Sequence, residues 1–270
     1  MSHRIFVSIF LLCVIFADVS VADAVMSGEK FLELCASGTP EEIESAIRDG
    51  TDINARGEDD VTVLMIAADN NNSEAIPALI EAGIDVNARD EFGETALMRA
   101  ANGSLEAVIV LIEAGADVNA RNNVGVTALM NAASRNDPDI TRALIEGGAD
   151  VNARSCNGMT PLTSAAGMSD GPETINILIK NGADVDARGY AGATALIIAM
   201  RVNSGLDKIK ALIENGANVN ATDDDGWTAL MVAADNNKPE WISILLDAGA
   251  KADIRDNGSF LYCVPICTKK

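Results

Sequence analysis

The stretch that decides the fold runs from Gly93 to Gly103 and reads GETALMRAANG. Close copies of it recur along the chain as VTVLMIAADN, VTALMNAASR, MTPLTSAAGM, ATALIIAMRV and WTALMVAADN. The threonine that the copies share recurs at intervals of 33, 32, 33, 34 and 34 residues. Self-similarity at such a regular interval is typical of proteins whose units stack on one another. The threonines are Thr62, Thr95, Thr127, Thr160, Thr194 and Thr228.

A second marker, GADVNAR and its variants, runs in step with the first. Two short segments with helical apolar periodicity lie between successive markers, for example TALMRAA and LEAVIVLIEAG. Each unit therefore predicts a tight turn, a helix, a second turn, a longer helix and a capping glycine. The glycines of the second marker are Gly50, Gly83, Gly115, Gly148, Gly182, Gly216 and Gly249.

Each shared position has a physical role. The threonine hydroxyl can accept a hydrogen bond from a free backbone N–H at the start of the first helix. Paired alanines, such as Ala100 and Ala101, let neighbouring first helices approach closely. Leucine and isoleucine of the second helix, such as Leu111 and Ile112, fill a core that continues from unit to unit. We expect stability to be mostly a sum of nearest-neighbour interactions along the stack.

These markers resemble the ankyrin repeat, in which T-x-L-x-x-A-A opens the first helix and G-A-D-V-N closes the second. The resemblance covers about Glu29 to Arg255. It implies an all-α solenoid of helix-turn-helix units joined by hairpin-like turns. A helical capping half-repeat over 25–56 precedes six repeats, and a C-terminal tail over 256–270 follows them. The repeats span 57–89, 90–121, 122–154, 155–188, 189–222 and 223–255.

The sequence departs from the family pattern where a histidine is common in the first helix. The one histidine of the chain is His3, and methionine occupies the motif position in four repeats. We expect these thioethers to fill the core, and Trp241 to lie in the core of the last repeat. The methionines are Met65, Met98, Met130 and Met231.

The first 24 residues differ in composition from the rest. Arg4 precedes an apolar run from Ile5 to Phe16, and Ala22 and Ala24 frame a small-residue cleavage site. This pattern predicts a secretory signal peptide over 1–24, with an uncleaved anchor as the alternative. The apolar run is too short to span a membrane. We therefore expect an extracytoplasmic protein, periplasmic or secreted, that is free of the membrane after signal cleavage.

The chain is strongly acidic, with 40 Asp and Glu against 20 Lys and Arg and a net charge of −20. Such a surface repels phosphate backbones and anionic headgroups, which argues against nucleic acid and against anionic membrane surfaces as partners. A basic protein is the more natural partner. We expect the protein to be a monomer.

No group of residues in the sequence carries an enzymatic motif. Because the mature chain would lack histidine, Ser-His-Asp and Cys-His arrangements and histidine metal sites cannot be built. The glycines are explained by turns and caps rather than by a phosphate loop. We expect the acidic run Asp223–Asp225 to be a solvated turn rather than a calcium site. The prediction is a protein with no enzymatic activity, no cofactor and no metal.

Four cysteines remain after signal cleavage. We expect Cys35 to lie in the core and Cys156 to be exposed at a turn. Cys263 and Cys267 are close together in the tail, and an extracytoplasmic location permits a disulfide. Three interpretations stay open: a local disulfide that pins the tail, two free thiols, or a redox site. The spacing C-x-x-x-C differs from the redox spacing C-x-x-C.

Two rows of opposite charge occupy shared repeat positions. We expect the rows to lie near each other along the turns, as a structural lattice in preference to a recognition strip. The acidic row is Asp52, Asp85, Asp117, Asp150 and Asp184. The basic row is Arg56, Arg89, Arg121, Arg154, Arg188 and Arg255.

The resemblance implies binding through a concave surface made by the turn tips and the exposed side of the first helices. The positions that the repeat pattern leaves free there are the predicted binding residues. Phe92, Tyr190 and Trp227 are the predicted hot spots, because rigid aromatic side chains carry much of the binding energy at interfaces. The others are Glu58, Asp59, Asp69, Glu91, Glu94, Asn123, Arg135, Met159, Arg201, Asp224, Asp225 and Asp235.

The sequence as a whole predicts an exported, non-enzymatic scaffold that binds a protein partner through this surface. One alternative is a secreted effector delivered to a host or competitor cell. Another is a redox accessory protein that uses Cys263 and Cys267.

Overall fold

The structure, a computed structural model, describes residues 25–168 and 171–254. These residues form fourteen α-helices and, within the same ranges, no β-strand. The all-α solenoid predicted from the repeat is confirmed. The predicted signal peptide over 1–24 and the tail over 256–270 lie outside the described residues.

The helices come in pairs, one pair per unit. The N-terminal unit consists of α1 (Gly28–Ser37) and α2 (Pro40–Arg48). The first helices of the six repeats are α3 (Val63–Asp69), α5 (Ala96–Ala100), α7 (Ala128–Arg135), α9 (Pro161–Ala166), α11 (Ala195–Arg201) and α13 (Ala229–Asp235). The second helices are α4 (Ala75–Glu81), α6 (Leu105–Glu113), α8 (Pro138–Glu146), α10 (Glu173–Lys180), α12 (Leu206–Glu214) and α14 (Pro239–Asp247).

The shared threonine is the N-cap of every first helix in the six repeats. Its hydroxyl accepts a hydrogen bond from the backbone N–H three residues later, at 3.2–3.5 Å. This bond satisfies one of the N–H groups that a helix leaves unpaired at its start. The predicted capping role of the threonine is confirmed, and it explains why each first helix begins at the same point of its repeat.

The glycine after each second helix has a left-handed backbone, with φ between 86° and 93° in all seven units. At Gly115, the N–H donates to the carbonyl of Ile112, and the N–H of Ala116 donates to that of Leu111, each at 3.0 Å. These bonds satisfy carbonyls at the helix end. A side chain at Gly115 would be strained, because only glycine adopts this φ without a Cβ clash.

One apolar core runs along the stack from Phe31 to Leu245. Each first helix packs on the first helices of the neighbouring units, and the second helices α2 to α12 pack in the same order. The four methionines at the histidine position are at most 4% exposed, and Trp241 is 5% exposed. The predictions that they fill the core are confirmed.

Lys208 is a buried charge in this core, 1% exposed at the start of α12. Its ammonium group donates hydrogen bonds to the carbonyls of Ala165, at 3.1 Å, and Met168. These carbonyls lie at the end of α9 in the preceding repeat, where a short helix leaves acceptors unpaired. Lys208 therefore links repeats 155–188 and 189–222 through backbone groups.

Four asparagines, each at the last position of a GADVN marker, tie their unit to the next. The Nδ2 of Asn119 donates to the carbonyl of Gly148 at 3.0 Å, and its Oδ1 accepts the N–H of Asp150 at 2.8 Å. The same pair of bonds is made by Asn87, Asn152 and Asn220. One amide side chain thus satisfies a donor and an acceptor of the neighbouring backbone.

Asp186 stands where these asparagines stand in the other repeats. Its carboxylate accepts the N–H of Asn218 at 2.8 Å but has no hydrogen to donate. The carbonyl of Gly216 therefore lacks the amide donor that reaches its counterparts, Gly148 among them.

The side chains of the acidic and basic rows form hydrogen bonds with backbone groups, and the two rows do not pair with each other. The aspartates accept the N–H two residues later, as Asp117 does from Asn119 at 3.0 Å. Arg56 donates to the carbonyl of Arg89 at 3.1 Å, and Arg188 donates to that of Thr222 at 2.7 Å. The three arginines between them bond the carbonyl of the next arginine in the row. Across the described ranges no ion pair joins the rows, and Arg255 lies outside those ranges.

We predict that Asp186→Asn raises the free energy of unfolding by about 0.5–1.5 kcal/mol, because the new amide donates to the carbonyl of Gly216. Asn152→Asp is the matched reverse change and should lower it by a similar amount, since it removes the bond to Gly182. Urea unfolding followed by circular dichroism measures both. A shift of the same sign in both variants would contradict this role of the asparagine row.

Candidate functional site

The turn that opens each repeat forms a tip, and the tips are joined by backbone hydrogen bonds. The second residue of one tip donates its N–H to the carbonyl of the third residue of the preceding tip, at 2.9–3.0 Å. These bonds run from Glu91 to Asp59, Asn123 to Phe92, Cys156 to Val124, and Asp224 to Ala191. In this described row, Tyr190 makes no such bond to Asn157, so the row has one break, between repeats 155–188 and 189–222.

Two buried aspartates set the conformation of their tips. Asp90 Oδ1 accepts the N–H groups of Phe92, at 2.9 Å, and Glu94, at 2.8 Å. Asp223 Oδ1 accepts those of Asp225, at 3.0 Å, and Trp227, at 2.9 Å. The backbone at Phe92 and Trp227, the predicted aromatic hot spots of these two repeats, is thus held by hydrogen bonds to a buried carboxylate.

The expectation of a solvated turn at Asp223–Asp225 is correct for Asp224 and Asp225, which are exposed, and wrong for Asp223, which is 4% exposed. Asp223 is buried because both of its oxygens have partners. Oδ1 accepts the two N–H groups of its own tip, and Oδ2 pairs with the guanidinium of Arg201 in the preceding repeat.

The predicted binding residues fall into three rows, which together we call the tip-and-helix face. On the tips themselves lie the exposed residues Glu58, Asp59, Glu91, Phe92, Asn123, Tyr190, Asp224 and Asp225. Immediately before the capping threonine lie the half-buried residues Glu94, Met159 and Trp227. At the ends of first helices lie the exposed residues Asp69, Arg135, Arg201 and Asp235.

Arg99 links these rows across two repeats. Its guanidinium pairs with Asp69 at 2.9 Å, Asp90 at 2.7 Å and Glu94 at 3.6 Å, while the Asp90 side chain is fully buried. Burial alone would lower the pKa of Arg99, but the hydrogen bond that its guanidinium donates to Asp90 and the charges of Asp69 and Glu94 raise that pKa above its ordinary value. The cation is therefore permanent, and it neutralises a carboxylate that has no access to water.

A shallow cavity of about 240 Å³ lies where the last two repeats meet on this face. It is lined by Arg201, Trp227, Val232, Asp235 and Asn236. Three predicted binding residues thus share one depression: Arg201 and Asp235 from the ends of first helices, and Trp227 from the row before the capping threonine. Its walls combine an indole, a guanidinium and a carboxylate.

The other two predicted hot spots are open to solvent. Phe92 is 55% exposed and Tyr190 is 65% exposed. Val124, which occupies the same tip position as Phe92 in the next repeat, is 59% exposed. The backbone bond from Asn123 to Phe92 joins these two tips, so Phe92 and Val124 lie on adjacent tips. Tyr190 and Trp227 lie at the far end, in the last two repeats.

Some predicted binding residues already have partners within the chain. Asp69 and Glu94 pair with Arg99, Arg201 pairs with Asp223, and Asp224 pairs with Arg188 at 2.8 Å. Asp69, Arg201 and Asp224 thereby join different repeats, whereas Glu94 pairs within its own repeat. The prediction from sequence also missed Arg99 and Asp90. The sequence does single out Arg99, because this charged residue occupies a helix position that holds the apolar residues Ile66 and Ile198 in other repeats.

The two cysteines within the described ranges lie as predicted. Cys35 is buried in α1, and burial raises the pKa of its thiol to about 12. Cys156 is exposed on a tip. Cys263 and Cys267, and with them the question of a tail disulfide or redox pair, lie outside the described residues.

The described part of the chain contains no group of three or more His, Cys, Asp or Glu side chains placed to hold a metal ion. In the same residues, none of the helices has both the length and the apolar character needed to cross a bilayer.

We predict that Arg99→Ala lowers the free energy of unfolding by about 2–3 kcal/mol, because it leaves the buried carboxylate of Asp90 without its cation. Arg135→Ala is the matched control, since Arg135 ends the next first helix and is exposed. It should change stability by less than about 0.5 kcal/mol. Chemical denaturation of the two variants decides this, and equal effects would show that Arg99 is an ordinary surface arginine.

We predict that iodoacetamide at pH 8 alkylates Cys156 in the folded protein and leaves Cys35 unmodified. With its pKa near 12, roughly one Cys35 thiol in ten thousand is ionised at that pH, and the thiolate is the reactive form. Both cysteines should react once urea unfolds the chain. Peptide mapping by mass spectrometry reads the outcome, and equal labelling of the two in the folded state would contradict the packing of α1.

The comparison with family models agrees with these units. A model described as ankyrin repeats (3 copies) matches residues 31–122, 115–189 and 169–256. Comparison with curated proteins gives no match. The three matched ranges overlap and together span residues 31–256, which include most of the capping unit and all six helix pairs described above. The chain therefore belongs to the ankyrin-repeat family.

Proposed function

We propose that the protein is an exported, non-enzymatic scaffold that binds a protein partner through the tip-and-helix face. Membership of the ankyrin-repeat family supports a scaffold for protein–protein interaction. The observation that carries the assignment to this face is the exposure of Phe92 and Tyr190 on tips whose backbone is hydrogen-bonded into place. The N-terminal sequence over 1–24 supports export to the periplasm or out of the cell.

The face is suited to binding because it is rigid before the partner arrives. Asp90 fixes the tip that carries Phe92, and Asp223 fixes the tip that carries Trp227. Neighbouring tips are also tied together through their backbones, except between repeats 155–188 and 189–222. A surface that is ordered in advance loses little conformational entropy on binding, so more of the contact energy appears as affinity.

The distribution of charge on the face indicates the chemistry of the partner's contact surface. Acidic side chains lie at one end on Glu58, Asp59 and Glu91, and at the other end on Asp224 and Asp225. Exposed apolar and aromatic side chains lie between these ends. We infer a partner whose contact surface is apolar at its centre and carries lysine or arginine at its borders. Charge complementarity of this kind increases the association rate and selects against acidic competitors.

A catalytic role has little support in this arrangement. The face offers exposed aromatic rings, carboxylates and arginines, and its most buried ionised groups, Asp90 and Asp223, are each paired with an arginine. We infer that these groups hold the surface in shape and that binding is the whole activity.

We predict that Phe92→Ala and Tyr190→Ala each weaken partner binding about tenfold or more, and that Trp227→Ala does the same at the cavity. Aromatic side chains at the centre of an interface contribute the most when truncated. The measurement is capture of the partner from an extracytoplasmic fraction by the immobilised protein, followed by titration of the captured protein against each variant.

Ile109→Ala is the matched control, because Ile109 is 42% exposed on the second helix α6, away from the tips. It removes exposed apolar surface without touching the proposed face, so its affinity should stay within twofold of the parent. If the three aromatic variants bind as well as the parent while Ile109→Ala does not, the partner uses another surface. Increasing salt should weaken binding, since the charged borders are exposed.

A further inference from the structure

The row of tips has an open place at its N-terminal end. The described part of the chain begins at residue 25 and enters α1 at Gly28, so in that part no tip precedes the helix. The first tip of the row is therefore the one that opens repeat 57–89. Every later tip has another tip before it, whereas this one has the start of α1.

The first tip carries a backbone donor that the repeat pattern directs at a neighbour. Glu58 is its second residue, the position that Glu91, Asn123, Cys156 and Asp224 occupy in later tips. Those four donate their N–H to the preceding tip at 2.9–3.0 Å. Within the described residues the N–H of Glu58 has no such acceptor, and Glu58 is exposed. This donor is thus accessible to a ligand.

A cavity of about 490 Å³, which we call the N-terminal cleft, lies between α1 and this first tip. Glu58 lines it, together with the backbone of Gly57. Leu32 of α1 and Ala55, both half-buried, supply apolar surface in the same cleft. A backbone donor beside apolar surface suits an extended peptide, which presents carbonyls along its edge and turns successive side chains to opposite sides.

The charge of the N-terminal cleft favours a cationic ligand. Glu29, Asp52 and Glu58 line it and are all exposed. Across the described ranges none of these three carboxylates takes part in an ion pair. Arg56 is the one cation among the lining residues, and its guanidinium is bonded to backbone carbonyls. Three carboxylates against one guanidinium attract lysine or arginine.

We propose that the N-terminal cleft binds a basic segment of a partner protein in an extended conformation. A carbonyl of the segment accepts the N–H of Glu58, as the carbonyl of Asp59 accepts that of Glu91. An apolar side chain of the segment packs on Leu32 and Ala55, and the neighbouring basic side chains meet the carboxylates. The segment takes the place that a preceding tip has elsewhere in the row.

A second copy of this chain is a poorer occupant. It would have to offer its last tip, which carries the exposed Asp224 and Asp225, to a cleft that already holds three carboxylates. Like charges brought together in this way oppose association. Because Glu58 also belongs to the tip-and-helix face, the proposal rests on the proposed function, but its test needs no partner protein.

Fluorescence anisotropy with the full chain and a fluorescein-labelled KVKVK peptide tests the cleft. The parent should bind this peptide more tightly than an EVEVE peptide. Glu58→Gln removes one charge and should weaken binding of KVKVK about threefold. Glu58→Pro also removes the N–H and should weaken it about tenfold. Proline is tolerated at the first position of a helical turn, and Gly57 before it is extended.

Two further variants separate the cleft from the rest of the surface. Glu29→Gln should weaken the peptide about as much as Glu58→Gln, and it leaves the tip backbone intact. Glu41→Gln is the matched control, because Glu41 is exposed on α2 and does not line the cleft. Its affinity for the peptide should stay within about twofold of the parent, since exposed charges further away are screened.

Four outcomes would overturn the proposal. Equal affinities of Glu58→Gln and Glu58→Pro would show that the N–H takes no part. An effect of Glu41→Gln as large as that of Glu58→Gln would show attraction by net charge alone. Parent dimers in light scattering that Glu58→Pro dissociates would assign the cleft to a second copy. Loss of KVKVK binding in Phe92→Ala would place the peptide on the aromatic part of the face. Capture of the partner tests the proposed function separately.

Discussion

The interface between one repeat and the next is the constraint on which the rest of this protein depends. A single pair of helices of seven to nine residues, such as α13 and α14, cannot bury its apolar side alone. Small residues let the first helices approach, and leucine and isoleucine fill the space between the second helices. Asparagine and arginine side chains then satisfy backbone groups across the junction, so the polar edge of each unit is matched to its neighbour.

Because one set of positions holds the repeats together, the remaining surface positions are available for function. Threonine, leucine, methionine and alanine occupy the positions that the stack requires, and the tips and helix ends vary around them. The variable positions are nevertheless not independent of the fold. Asp69 and Arg201 face solvent and also hold neighbouring repeats together. Substitution there would change both the surface and its support, which is why the exposed aromatic rings are the cleaner test of binding.

Most of the fold could be predicted from sequence, and the reason is the short range of its determinants. A threonine N-cap contacts a backbone N–H three residues away, and a glycine cap depends on its own φ angle. The expectation for Asp223 failed because its partner Arg201 belongs to the preceding repeat. The role of the arginine row was likewise hidden, since its acceptors are backbone carbonyls about one repeat away and carry no sequence signal.

The sequence by itself determined the repeat length, the helix starts and ends, the buried positions and the candidate surface, because a repeated pattern reports the same local requirement many times. Only the tertiary structure decided which carboxylates are buried, which arginine each one meets, and which aromatic rings share a surface. These depend on single residues brought together from different repeats, such as Arg99 with Asp69 and Arg201 with Trp227. A contact made once in the molecule does not recur at the repeat interval in the sequence, so only the folded structure reveals it.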